Sequence, residues 1–272
     1  MLLTATDSQL KPTVNPGTTT KVVLVIEYDG TRYYGFQWQA NLPTIQGALE
    51  EAIRQLTGEN LRLLGASRTD TGVHARGQVI SFRTKSTLPL PTLISGLNHY
   101  LPQDIAVKTA HRARANFSVR SNAISREYRY CILNNQIRSP LNTGFSYLVT
   151  RPLDIEAMDQ TCRLLVGEHD FASFASSLGP RLRNTVRTVY RSGVRKEGDS
   201  VLFEIVANSF LPHQIRNTTG ALIRVGLGKM KEDEFYSIMV AGKPGLAGPS
   251  APACGLFLMR VNYPQPFEEE TE

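Results

Sequence analysis

Residues 68–75, Arg68-Thr69-Asp70-Thr71-Gly72-Val73-His74-Ala75, place a guanidinium, a carboxylate, a glycine and an imidazole within one octet. A leucine-rich segment, Leu61–Ala66, precedes it, and a strand-like one, Gln78–Arg83, follows, so the octet reads as a short loop between two buried elements. Loops held by rigid scaffolding are where catalytic side chains concentrate. Gly72 permits a sharp turn or a close approach to a ligand. Arg68, two residues before Asp70, suits two tasks, holding the acid ionised and binding a polyanion. A plain turn with a surface ion pair is the simpler alternative. Asp70-Thr71-Gly72 also spells the aspartic protease triplet, whose chemistry needs two carboxylates sharing a proton. No second Asp-Thr-Gly or Asp-Ser-Gly occurs, and the polar approach Arg68-Thr69 is unlike the apolar strand that such a triplet ends, so protease ranks low.

The elements around the loop follow from periodicity. Lys21–Tyr28 is a strand closed by the turn residues Asp29-Gly30. Thr44–Leu56 is an amphipathic helix with Ile45, Ala48, Leu49, Ala52, Ile53 and Leu56 on one face, Thr44 as its cap and Gly58 as its stop. Strands are expected near 61–66, 78–83, 104–110 and 124–133, with a short helix between Thr92 and Tyr100. A helix over Asp154–Val166 stopped by Gly167 comes next, then a hairpin over 185–208. Helices near 212–226 and 231–240, a Gly/Pro-rich loop at 242–252 and a last strand at 255–263 complete the order. Interspersed helices with hairpin-type strands give an α+β class, in two strand-plus-helix halves, 21–115 and 116–264. Residues 1–20 read as a disordered leader and 265–272 as an acidic tail.

Composition narrows the function. The chain has 272 residues, 41% hydrophobic and 20% charged, and its longest apolar run, Val22–Ile26, is far too short for a membrane span. Three widely spaced cysteines, Cys131, Cys162 and Cys254, fit neither a disulfide framework nor a zinc site, and a reducing, cytoplasmic setting is expected. The five histidines show no ligand spacing, so no metal is expected. Gly226-Leu227-Gly228-Lys229 lacks the upstream glycine and the Ser or Thr of a phosphate loop. Net charge is +6 although the chain closes on Glu268, Glu269, Glu270 and Glu272. Arginines concentrate in two runs. The first holds Arg112, Arg114, Arg120, Arg126, Arg129 and Arg138, with Glu127 as its one acid. The second holds Arg181, Arg183, Arg187, Arg191, Arg195 and Lys196, with none. Two Arg-rich runs favour a nucleic-acid partner over a merely solvated face.

Five blocks then carry a family resemblance. They are Tyr28-Asp29-Gly30-Thr31 with Gly35-Phe36-Gln37-Trp38-Gln39; the octet continued by Gln78-Val79; Ser125-Arg126-Glu127-Tyr128-Arg129-Tyr130; His213-Gln214-Ile215-Arg216-Asn217; and Ala251-Pro252-Ala253-Cys254-Gly255-Leu256. From about Val22 to Tyr263 the chain resembles the tRNA pseudouridine synthases of the TruA type. Ser67 stands where that family usually has glycine, and Gln214 where it usually has methionine.

The resemblance implies a pseudouridine synthase fold, two α+β halves with mainly antiparallel sheets joined into one large sheet around a central cleft. It implies isomerisation of uridine at positions 38, 39 and 40 of the tRNA anticodon stem-loop, by a homodimer, with no cofactor and no metal. Asp70 takes the role of nucleophile or base, Arg216 pairs with it, Tyr128 stacks on the extruded uracil, and Arg68 fills the gap left by the base or contacts phosphate. A catalytically silent RNA-binding protein on the same scaffold is the alternative, and the presence of Asp70, Tyr128 and Arg216 together speaks against it.

Overall fold

Strand pairing builds the molecule outward from the octet. The computed structural model describes residues 19–176, 184–264 and 267; most of the expected leader, Arg181, Arg183 and the closing glutamates lie outside those residues. β1 (Thr20–Tyr28) lies between β3 (His74–Thr84) and β4 (Ile105–Ala113), antiparallel to both, and β2 (Leu64–Gly65) adds to β3. On the other side β5 (Ser125–Leu133) pairs with β9 (Ser200–Ala207), which pairs with β8 (Val186–Glu197), and β7 (Gly167–Asp170) extends β8. β6 (Tyr147–Leu148) runs parallel to β5. The last strand, β10 (Leu256–Asn262), closes the gap: it is antiparallel to β5 and pairs in parallel with β3 through Phe257–His74 and Leu258–Ala75. The result is one ten-stranded sheet in the order β4-β1-β3-β10-β5-β9-β8-β7.

That order explains why distant residues meet. Ala75, Leu258, Tyr128 and Ile205 form one row across β3, β10, β5 and β9. Neighbouring strands lie about 4.8 Å apart, so Tyr128 stands only two strand spacings from the end of the octet. Side chains alternate faces with period two. Along β5, Tyr128, Tyr130 and Ile132 are buried, whereas Glu127, Arg129 and Cys131 lie on the opposite face and are half-buried.

Five helices cover the apolar surface among the described residues. α1 (Ile45–Thr57) buries Ile45, Leu49, Ala52 and Ile53; the Thr44 hydroxyl accepts from Gly47 N at 3.2 Å and Gly58 ends the helix at φ 76°. α2 (Leu90–Tyr100) packs on β4 and α1. α3 (Ile155–Arg163) packs on β8 and on α4 (Gln214–Gly226), and α5 (Glu232–Val240) packs against α3. No helix among the described residues is long and apolar enough to cross a membrane.

Three boundaries differ from expectation. The strand expected at 61–66 shrinks to two residues because α1 takes the backbone of Leu63: its N–H donates to the Glu50 carboxylate and its carbonyl accepts from the Gln46 amide. α3 ends at Arg163, not Val166, because the next three N–H groups bond three residues back, a tighter turn than the α-helix. Gly167, expected to stop that helix, opens β7 at φ 115° instead. β6 and β7, with two and four residues, are too short for a period to show.

Candidate active site

The loop that carries Asp70 rests on the first block of the resemblance. Its turn is closed by Val73 N donating to Asp70 O at 3.1 Å, with Gly72 at φ 76°. Thr69 is drawn inward: its carbonyl accepts from Phe36 N at 3.0 Å and its hydroxyl bonds the Tyr28 hydroxyl at 2.8 Å. Two glycines permit this contact. A Cβ on Gly30 would lie 2.0 Å from the Val73 carbonyl oxygen, and one on Gly35 would lie 2.8 Å from that of Thr69. Gln78, fully buried, holds the loop's entry by accepting from Ser67 N at 3.2 Å and donating to Ser67 O at 2.8 Å.

His74 locks the exit. Gly30 N–H donates to its Nδ1 at 3.1 Å, so the ring's proton sits on Nε2, which donates to the carbonyls of Gly144 at 2.9 Å and Cys254 at 3.2 Å. Phe257 stacks on the ring at 4.7 Å. Burial holds this imidazole below its ordinary range, even with the Asp29 carboxylate 3.1 Å away. His74 is thus a tie between three segments and faces away from substrate chemistry.

Asp70 opens into a cleft of about 590 Å³ whose lining includes Ser67, Arg68, Arg120, Arg126, Tyr128, Phe210, His213 and Arg216. Arg216 Nη1 lies 3.3 Å from Asp70 Oδ2, and its Nε donates to Ala251 O at 2.9 Å. The fifth block therefore serves to aim Arg216. Ala251 N also donates to the Arg216 carbonyl at 2.9 Å, and Tyr130 Oη donates to Pro252 O at 2.7 Å.

Tyr128 is 7% exposed, its ring edge-on to Phe210 at 5.2 Å and its hydroxyl donating to Ser67 Oγ at 3.3 Å. Burial pushes the phenol up to about 12, so it is a neutral ring at physiological pH. Arg126 is buried as well. Its guanidinium donates to four carbonyls, those of Ala66, Arg120, Ala123 and Asn208, and so ties the octet's approach, the segment before β5 and the end of β9 together.

Arg68 departs from one expectation. It is exposed and makes no ion pair or hydrogen bond among the described residues; the guanidinium that meets Asp70 is that of Arg216. The inward anchoring of Thr69 leaves Arg68 on the outer side of the loop. The arginine runs depart further. Arg129 pairs with Glu204, Arg195 with Glu204 and Glu197, and Arg191 approaches Glu127 at 4.0 Å, all on the sheet face opposite Tyr128. Among the described residues of the two runs, only Arg120 and Arg126 line the cleft. Sequence reading misses His213 as a site residue, although it lies in the fourth block. Its Nε2 is 3.4 Å from Asp70 Oδ2.

The cleft therefore presents one carboxylate among four arginines and a buried aromatic ring. Such a site accepts a planar, polyanionic substrate and offers it a single oxygen nucleophile or base. A family model described as tRNA pseudouridine synthase matches residues 24–120 and 161–264. The chain is 43% identical over 242 residues to a tRNA pseudouridine synthase A of Thermoanaerobacter sp. (strain X514), covering 89% of this chain and 99% of that protein. It is 44% identical over 248 residues to the tRNA pseudouridine synthase A of Roseiflexus sp. (strain RS-1), covering 90% and 91%. The corresponding protein of Brevibacillus brevis is 42% identical over 239 residues, covering 88% and 98%.

Proposed function

The chain belongs to the tRNA pseudouridine synthase family, and from that premise we propose how its cleft works and where on tRNA it acts. The enzyme converts uridine to pseudouridine in tRNA, an isomerisation that breaks C1′–N1, turns the base and forms C1′–C5. The targets are uridines 38, 39 and 40 of the anticodon stem-loop, the positions that the TruA-type blocks imply. The observation that carries the assignment of roles is the pairing of Asp70 with Arg216 at the mouth of a cleft walled by Tyr128.

Asp70, paired with Arg216, acts on the uridine as nucleophile or base. Tyr128 supplies an apolar ring against which the extruded uracil packs, since a base face stacks on an aromatic without sequence preference. Extruding a stem base costs a few kcal/mol, offset by phosphate contacts. Arg68, exposed beside Asp70 with no partner of its own among the described residues, enters the space the base vacates or holds its phosphate. The working unit is a homodimer on one tRNA, in the cytoplasm, without metal or cofactor.

Mapping pseudouridine in total tRNA from cells with and without the gene tests this. Loss of the modification at 38, 39 and 40 alone is the expected result. Unchanged tRNA at all three positions would end the assignment of target. Sedimentation of the protein with and without tRNA reads the dimer.

A further inference from the structure

His213 is built into the cleft at a backbone cost. It adopts φ 60°, ψ 2°, one of two non-glycine residues with positive φ among the described residues. Such strain persists where the surrounding structure overdetermines it, and it clusters at functional sites. The turn aims the imidazole at Asp70, with Nε2 3.4 Å from Oδ2, while Nδ1 lies 2.8 Å from Ser176 Oγ.

A chain of hydrogen bonds runs behind the ring. Asn217 Nδ2 lies 2.7 Å from the Phe174 carbonyl, which only accepts, so the amide nitrogen must face that way. The Ser250 hydroxyl donates to the other end, Asn217 Oδ1. The same Nδ2 donates to Ser176 Oγ at 3.2 Å. Ser176 thereby accepts from the amide, which leaves its proton free to turn to His213 Nδ1. Where Ser176 donates to Nδ1, the ring proton of a neutral imidazole sits on Nε2, the nitrogen nearest Asp70 Oδ2. Arg216 Nη1 meets that same oxygen at 3.3 Å, and Oδ1 carries no hydrogen bond among the described residues.

Resting on the pseudouridine synthase reading, we propose that His213 is a positioning residue for this reaction. Together with Arg216 it holds Asp70 Oδ2 and leaves Oδ1 as the oxygen that meets the uridine. The Ser250–Asn217–Ser176 chain serves the reaction by setting the proton on Nε2. At 3.4 Å the two atoms stand within ion-pair distance without a formed hydrogen bond; catalytic hydrogen bonds often tighten only when substrate is bound. Asn217, the last residue of the fourth block, acquires a role through this chain that its burial alone does not explain.

Single-turnover isomerisation and tRNA affinity of three variants test the proposal. His213→Gly relaxes the backbone and removes the donor; its rate should fall roughly tenfold to a hundredfold, the effect of one lost hydrogen bond to a charged group, with affinity within about threefold. His213→Asn tolerates the left-handed backbone but is too short to reach Asp70, and should match the glycine variant. His213→Gln places an amide N–H near the Nε2 position and should recover to within about threefold of wild type. A glycine variant as fast as wild type overturns the proposal, and so does a folded Gln variant as slow as glycine. Nitrogen-15 spectra of the imidazole give a reading that needs no variant: a proton on Nε2 alone supports the chain, and a proton on Nδ1, with or without one on Nε2, overturns it. Wild-type protein inactive on every tRNA would sink the functional reading itself, an outcome distinct from either failure.

Discussion

The two faces of the sheet carry the same kind of residue to different ends. On the cleft side Arg68, Arg120, Arg126 and Arg216 surround a single carboxylate, Asp70. On the far side Arg129, Arg191 and Arg195 are met by Glu127, Glu197 and Glu204 from their own strand or from strands one or two places away. Both sets come from stretches that look equally basic along the chain. Phosphate attraction depends on charge left uncompensated in space, and period-two alternation brings acids into register on one face only. The cleft is electropositive by arrangement; on the far face these three arginines are matched by acids.

The strongest way to separate the two faces is at Asp70. Asp70→Asn should abolish isomerisation in a single-turnover assay while tRNA affinity stays within a few fold, since phosphate contacts carry binding. Retention of measurable turnover would remove Asp70 from the chemistry. Next comes Tyr128. Tyr128→Leu should lower the single-turnover rate by about ten- to a hundredfold, the scale of a stacking contribution of about 1–3 kcal/mol. Tyr128→Phe keeps the ring and gives up only the 3.3 Å hydrogen bond to Ser67, so it should retain far more activity. Equal loss in both variants would mean that the hydroxyl, not the ring, is what turnover needs.

Much of this site is legible in the residues alone. Asp70, Arg216 and Tyr128 lie in blocks whose residue types have few structural reasons to co-occur, and the strand order brings them together. The helix caps at Thr44 and Gly58 are legible because each follows from one residue's local chemistry. What escapes is long-range. Nearness along the chain makes Arg68 the natural partner of Asp70, yet the guanidinium on Asp70 comes from 146 residues away. His213 escapes because its reach depends on a left-handed backbone that nothing in its type announces. The arginine runs mislead because a run lists both faces of a strand at once. In the second run Arg191 and Arg195 stand beside acids, a pairing that the linear sequence does not display.

Salt dependence tests which face meets the RNA. Replacing Arg68 and Arg120 together with glutamine should flatten the slope of log affinity against log salt by about one to two, given roughly 0.7–0.9 per phosphate contact. Replacing Arg191 and Arg195 together should leave the slope unchanged. A flatter slope from the second pair, and none from the first, would put the RNA on the far face.

The smallest effect expected is at Glu204, and it tests neutralisation directly. Glu204 is shared by Arg129 and Arg195, and Glu204→Gln leaves Arg129 without its acid and Arg195 with Glu197 alone. Partial burial raises the Glu204 carboxyl, but hydrogen bonds from the two arginines outweigh it and hold the group below the ordinary glutamate range. A carboxyl depressed in the folded state adds stability above its unfolded pKa of about 4.3. That contribution is lost as pH falls through the lower, folded value. Exposed ion pairs contribute about 0–1 kcal/mol, so the variant should lose at most a few degrees in Tm at neutral pH. The difference from wild type should shrink as the pH is lowered through the folded value. Non-specific RNA binding at low salt should rise modestly, and single-turnover isomerisation of tRNA should not change, because the cleft lies on the other face. A Tm difference that grows on acidification would show that Glu204 is not the acid holding these arginines. A drop in turnover would show that the two faces are coupled.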